Sequence, residues 1–174
     1  QAIQNGIRVI PIPGACAFVN ALIASGLSTK EFCFIGFLSA QKKEKKDKLE
    51  ELKYETKTLI FYEAPHKLVG TLSTICEVFG DREVVLAREL TKIHEEFIRG
   101  NISDVLAKIG EPKGEFVILV SGNSISKKEK DIENLNELSL EEHYKFYEDQ
   151  GIEKKEIIKR IAKDISRNFF LFVN

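Results

Sequence analysis

The 174-residue sequence contains no methionine, and its cysteines, Cys16, Cys33 and Cys76, form an odd set without CxxC spacing. Mostly apolar neighbours make them buried thiols of a reducing compartment, which excludes a disulfide framework and a zinc site. No apolar run approaches the roughly 18 residues of a membrane-spanning helix, and no signal peptide is visible, so a cytoplasmic chain with no membrane partner is expected. The net charge of −1 gives no overall drive toward nucleic acid, so any RNA contact has to come from local patches. Internal repeats are absent. So are P-loop, GxGxxG, GxSxG and metal-ligand motifs, which leaves nucleotide-hydrolase, nicotinamide, serine-hydrolase and metal chemistry without support. What remains is an ordinary folded composition, 43% hydrophobic and 30% charged.

The most informative stretch runs from Thr58 to Leu68. Residues 58–62 are β-branched and aromatic, as in a largely buried strand. Pro65 fixes φ at a helix entry, and Leu68, Leu72, Ile75 and Phe79 give that helix an apolar face. Glu63 and His66 therefore stand at the carboxyl end of a strand, the edge where open α/β sheets bind ligands. They equally suit a turn cap and a solvated first-turn residue, since one acid and one histidine specify no reaction.

Around this stretch the chain reads in order. Residues 1–6 resemble the end of a helix stopped by Gly6, and residues 7–10 a strand without an obvious partner. With no initiator methionine, we expect a preceding N-terminal domain, of which residues 1–12 are the remnant and connector. Pro11, Pro13 and Gly14 make the connector rigid with a tight turn. Residues 16–25 predict a helix buried nearly all round, with Ala17, Ala21 and Ala24 on one face. Residues 31–38 predict a strand. Residues 41–53 carry Lys42, Lys43, Lys45, Lys46 and Lys48 among acids at helical spacing, which suits either a solvated helix or a phosphate-binding patch. Residues 83–90 and 93–99 predict a hairpin turning at Thr91 and Lys92. Arg88, Glu89, Lys92, His94, Glu95, Glu96 and Arg99 crowd into it, as protection of an edge or as the polar rim of a site. Asn101 is the expected cap of a short helix. A last strand covers 115–121. Beyond residue 122 we expect a linker over 123–138 and then a basic helical appendage over 139–174. Ser139 and Glu142 have capping-box spacing, and Ile157, Ile158, Ile161 and Ile165 share a face.

Together, residues 9–15 (VIPIPGA), 36–38 (GFL), 59–67 (LIFYEAPHK), 87–100 (ARELTKIHEEFIRG) and 113–117 (KGEFV) resemble the ribosomal RNA small-subunit methyltransferase I family of the tetrapyrrole (corrin/porphyrin) methylase superfamily. The resemblance runs from residue 1 to about 122. The hairpin and FYEAPH segments are specific to this branch, whereas the Pro-Gly connector is shared more widely.

The resemblance implies an α/β domain over 13–122: a mixed, largely antiparallel five-stranded sheet with packed helices. It implies an enzyme that uses S-adenosyl-L-methionine, and a homodimer that 2′-O-methylates a cytidine ribose of small-subunit ribosomal RNA in the 30S subunit. By superfamily pattern the cofactor contacts fall on Ala15, Cys16, Ala17, Tyr62, Glu63, Ala87, Glu115 and Phe116. A sugar hydroxyl reacts as its proton leaves, so Glu63, His66, Glu89, Lys92 and Glu96 are catalytic candidates with no base singled out, and Arg88 is a further candidate, suited to hold phosphates around the target nucleotide. Lys42, Lys43, Lys45, Lys67, Arg99, Lys159, Arg160 and Lys163 are the RNA-binding candidates. The family's glycine-rich N-terminal segment is not in this sequence, so the piece is expected to be inactive alone. The apolar residues 169–173 depart from the basic end the family shows. The alternatives are a methyltransferase acting on a corrin or porphyrin precursor, and a non-catalytic RNA-binding or dimerisation module.

Overall fold

The structure is a computed structural model that describes residues 1–171, without the side chains at 128, 133, 136 and 167–171. The apolar end of the chain, from residue 169, lies outside the described side chains and residues.

Residues 1–53 and 57–122 form one compact unit. Its sheet has the order β1-β2-β5-β3-β4, built from β1 (Phe32–Phe37), β2 (Thr58–Glu63), β3 (Glu83–Arg88), β4 (Glu96–Asn101) and β5 (Phe116–Val120). β1 and β2 are parallel and every other pair is antiparallel, so the sheet is mixed and largely antiparallel. β5 is buried at every position, as a central strand covered on both faces must be.

Strand parity divides the core. Leu59, Phe61, Leu86 and Ile118 point to the face covered by α3 (Pro65–Phe79), whose Leu68, Leu72 and Ile75 are fully buried against them. α2 (Lys42–Leu52) and α4 (Ile102–Lys108) flank α3 and add Leu49 and Val105 to that core. Ile60, Val85, Ala87, Val117 and Leu119 point the other way, toward α1 (Ala17–Ser25).

Several expectations give way. Ile7 to Ile10 forms no strand; its apolar side chains stay exposed, as no strand among the described residues pairs with it. α1 buries only Ala21, Leu22 and Ser25, with Ile23 70% exposed, because the sheet covers one side of it and no element among the described residues covers the other. The hairpin is longer-looped than its composition implies: β3 stops at Arg88 and β4 begins at Glu96, so Thr91 and Lys92 lie inside a loop over 89–95. Asn101 makes no side-chain cap, since it is still paired to Glu83 in the ladder. Asp81 caps α4 instead, accepting from Ser103 N at 2.8 Å and Ser103 Oγ at 2.6 Å. These bonds, the hydroxyl's foremost, hold its carboxyl below the usual range.

Residues 54–56 and 123–174 form a second unit. The segment read as a linker carries α5 (Lys127–Asn136), followed by α6 (Leu140–Glu148) and α7 (Lys154–Leu171). Ser139 and Glu142 close a reciprocal capping box on α6. Ile157 and Ile161 are buried, but Ile158 and Ile165 are exposed, so the apolar face of α7 is narrower than its isoleucines imply. His143 and Asp164 are buried. Tyr147 Oη donates to Asp164 Oδ2 at 2.7 Å; burial, then that bond, pushes the phenol up to about 12. No helix among the described residues is long and apolar enough to cross a membrane.

Candidate functional site

The site begins with a defect in β1. Phe34 pairs with Ile60, but Gly36 pairs with Phe61 and Phe37 with Tyr62, so a bulge absorbs Ile35. Gly36 has φ +77°, a conformation open to glycine at little cost. The extra residue switches strand parity. Phe37 therefore faces the same side as Phe34, and both rings reach Tyr62, at centroid distances of 5.5 and 5.1 Å. Phe34 also stacks on Phe18 of α1 at 4.5 Å.

Beyond this aromatic row, at the carboxyl end of β2, opens a cavity of about 460 Å³. Ala17 of α1, Phe37, Tyr62, Glu63, Ala64, Pro65, Leu90 and residues 115–117 line it. The parallel pair β1 and β2 ends here, and antiparallel β5 starts here, which is why residues distant in sequence meet. Of the residues assigned to the cofactor by resemblance, Ala17, Tyr62, Glu63, Glu115 and Phe116 come together around this space. The others do not line it: Ala15 is exposed in the connector, Cys16 is the half-buried residue before α1, and Ala87 is fully buried beneath α1. Phe37, Ala64, Pro65, Leu90 and Val117 were not singled out as site residues. Gly36 before Phe37 was the one available signal, because a glycine inside a strand marks a bulge.

Glu63 is only 5% exposed, yet its carboxylate is well partnered. Oε1 accepts from the backbone N–H of Ala64 at 2.9 Å and Oε2 from Thr71 Oγ1 at 2.6 Å. Thr71 in turn accepts from Lys45 Nζ at 2.7 Å. This chain of bonds ties α2, α3 and the end of β2 together, as a buried carboxylate requires. His66 is exposed on the first turn of α3, beside the lining residue Pro65.

The hairpin residues divide into two sets. Arg88 Nη2 pairs with Glu96 Oε2 at 3.2 Å across the last rung of β3 and β4. Glu89 turns inward: its Oε1 accepts from the N–H of Glu115 at 2.9 Å and from Lys92 Nζ at 3.1 Å. The Glu115 amide first, and Lys92 second, hold the Glu89 carboxyl below its usual range, while the Glu89 bond raises Lys92. Lys92 also approaches Glu115 Oε2 at 3.5 Å.

The cations expected to meet phosphate differ in their freedom. Lys42, Lys43 and Lys67 are exposed. Lys45 is turned inward to Thr71. Arg99 is committed to α1, with Nε donating to Ser25 O at 3.1 Å and Nη2 to Ala24 O at 2.6 Å. It thereby satisfies carbonyls left open at the helix end, in place of a phosphate. In the second unit Lys159 and Lys163 are exposed, and Arg160 lies 3.5 Å from Glu156. Among the described residues no cluster of His, Cys, Asp or Glu is arranged to hold a metal ion.

Comparison with known proteins places this geometry. The family model for Tetrapyrrole (Corrin/Porphyrin) Methylases matches residues 1–106. A ribosomal RNA small subunit methyltransferase I of Bacillus subtilis is 48% identical over 161 residues, 91% of this chain and 55% of the relative. The protein of that name in Halalkalibacterium halodurans is 48% identical over 166 residues, 94% and 57% of the two chains. This chain thus spans about half the length of the curated relatives it matches. Among solved structures, the methyltransferase CobJ shares the fold at TM-score 0.50 and 19% identity, over 70% of this chain and 54% of that one. With more than half of its residues matched by one family model, the chain belongs to the tetrapyrrole (corrin/porphyrin) methylases.

Proposed function

We propose that the chain is part of an S-adenosyl-L-methionine-dependent methyltransferase that 2′-O-methylates a cytidine ribose of small-subunit ribosomal RNA. The observation that carries this is the 48% identity, over nearly the whole chain, to relatives named for methylation of that RNA. The cavity is compatible in size and chemistry. About 460 Å³ falls within the range of small-molecule sites, and aromatic and apolar walls with few polar groups suit a nucleoside ring.

Bound there, S-adenosyl-L-methionine supplies an electrophilic methyl group. The chain's own residues hold and shield it. Phe37, Tyr62, Leu90 and Phe116 wall the space and exclude water. In-line transfer needs the hydroxyl aligned and its proton removed. His66, exposed beside the lining residue Pro65, is a group of this chain suited to take that proton, and Glu96 is a second one once it leaves its ion pair with Arg88. Lys42, Lys43 and Lys67, with Lys159 and Lys163 of the second unit, are suited to hold phosphates, which position the substrate without reading its sequence. The whole protein would act as a homodimer on the 30S subunit, in the cytoplasm.

The test is methyl transfer from labelled cofactor by a chain of the relatives' full length. Intact small subunits, their naked RNA and uroporphyrinogen are offered side by side, and the RNA product is mapped by mass. Label on a cytidine ribose is expected. Label on the tetrapyrrole alone, or none at all, would defeat the proposal.

A further inference from the structure

The loop over 89–95 contains two non-glycine residues in the left-handed region, Glu89 at φ +50° and Thr91 at φ +66°. Such conformations persist only where surrounding bonds over-determine them. Here the bonds are identifiable. Glu89 N–H donates to Glu115 O at 3.2 Å, and the Glu89 carboxylate accepts the Glu115 N–H in return. The side chain thus replaces the next rung of the β3–β5 ladder, which ends at Arg88 and Phe116. Lys92 N–H donates to Glu89 O at 3.0 Å, Glu95 N–H to Lys92 O at 3.1 Å, and Thr91 N–H to Glu95 Oε2 at 2.7 Å.

Gly114 completes the arrangement. Its φ is +89°, and a Cβ there would fall on the Glu89 carboxylate, well inside contact distance. The carboxylate lies in the space that this glycine leaves open. On either side of the joint stand cavity walls: Leu90 follows Glu89, and Glu115 and Phe116 follow Gly114.

We infer that Glu89 is a positioning residue, a clamp that locks the hairpin loop to the start of β5 and so holds two walls of the ligand cavity together. This rests on the proposed function and assigns Glu89 a role other than proton acceptor. Both of its donors belong to the protein, and its depressed carboxyl makes it a poorer base at neutral pH. Lys92 is the second half of the clamp, bridging Glu89 and Glu115 from outside.

The test uses a chain of the relatives' full length and compares Glu89→Ala, Glu89→Gln and Gly114→Ala. Amide exchange at Glu115, calorimetric binding of S-adenosylhomocysteine and the pH profile of turnover are measured. Glu89→Ala and Gly114→Ala should each speed Glu115 exchange and weaken the probe about tenfold, although the second leaves every titratable group in place. Glu89→Gln retains an oxygen for the Glu115 amide, so its turnover should stay within about threefold of the parent with an unshifted pH profile. An alanine at φ +89° is strained in itself, so Gly114→Ala is also made in the Glu89→Ala background, where the clash is gone. The two changes should then be less than additive. A loss of about 100-fold in turnover for Glu89→Gln at unchanged probe affinity would make Glu89 a base and overturn the inference. Unaltered Glu115 exchange in Glu89→Ala, or full additivity, would overturn it as well. A parent chain that binds no S-adenosylhomocysteine defeats the proposed function, while the exchange comparison still decides the clamp.

Discussion

The two faces of the sheet are built from the same strands and serve different ends. On one, α3 with α2 and α4 on its flanks seals a core whose Leu59, Phe61, Leu72 and Ile118 are fully buried. The other is covered in part by α1, and Phe34 is 43% and Phe37 69% exposed beside the cavity. The parity of one strand sends Phe61 to the sealed face and Tyr62 to the open one. Adjacent residues thus go separately to the sealed core and to the cavity wall. Functional sites need reachable surface, and a sheet supplies it by leaving one face incompletely covered.

The sharpest way to break that contrast is to truncate both neighbours. Phe61→Ala should cost about 3–5 kcal/mol in urea-induced unfolding, because the sealed face cannot collapse around the cavity left behind. Tyr62→Ala should cost much less, since its ring is half-buried against Phe34 and Phe37. Equal losses would show that the open face is no less a part of the core. Thr71→Val comes next. It is nearly isosteric but removes the hydroxyl between Lys45 and Glu63, leaving a buried carboxylate short of a partner, at a cost of about 1–3 kcal/mol. A neutral result would mean that the chain from Lys45 to Glu63 is incidental.

How much of this was legible in the sequence follows from the same division. β2, α3 and β5 carry continuous or periodic apolar patterns that burial enforces, so their positions could be read directly. β4 could not. It ends in Gly100 and Asn101, residues with poor strand propensity, and is held there by pairing with β3 up to Asn101 and Glu83. The loop before it needs left-handed Glu89 and Thr91, and neither residue type signals that conformation. At the cavity, Glu63 was legible because a strand end precedes a proline, whereas Tyr62 was reached only through the family resemblance. Phe37 was not, because only the bulge at Gly36 turns it toward Tyr62. Charge misled in a different way. Lys45 and Arg99 look like phosphate ligands in sequence, but hydrogen bonds to distant residues decide where they point.

Arg99 offers a gentler probe of the open face. Its two donors fasten the last carbonyls of α1, and its guanidinium lies 5.0 Å over the Phe97 ring. Arg99→Ala should lower stability by about 1–2 kcal/mol. It should also weaken S-adenosylhomocysteine binding by the full-length chain, since α1 supplies Ala17 to the cavity. Arg99→Lys keeps the charge but not the fork, and should restore little. If lysine restored full binding, Arg99 would be acting as a charge, and the capping account would fall.

The smallest effect on folding is expected from Lys42→Ala with Lys43→Ala, on the outer surface of the sealed face. Both side chains are exposed at the start of α2, so the pair should shift stability by no more than about 0.5 kcal/mol each way. Their worth would lie in phosphate contact. If both touch RNA, filter binding of small subunits over a salt series should lose up to about one unit of log–log slope per lost contact, with turnover at saturating substrate unchanged. Lys45→Ala separates charge from position. Its ammonium already serves Thr71, so it should cost stability and leave the salt slope alone. A slope that falls with Lys45 and holds without Lys42 and Lys43 would reverse the assignment. An unchanged slope in all three would leave α2 a solvated helix that only seals the core, and the division between the faces complete.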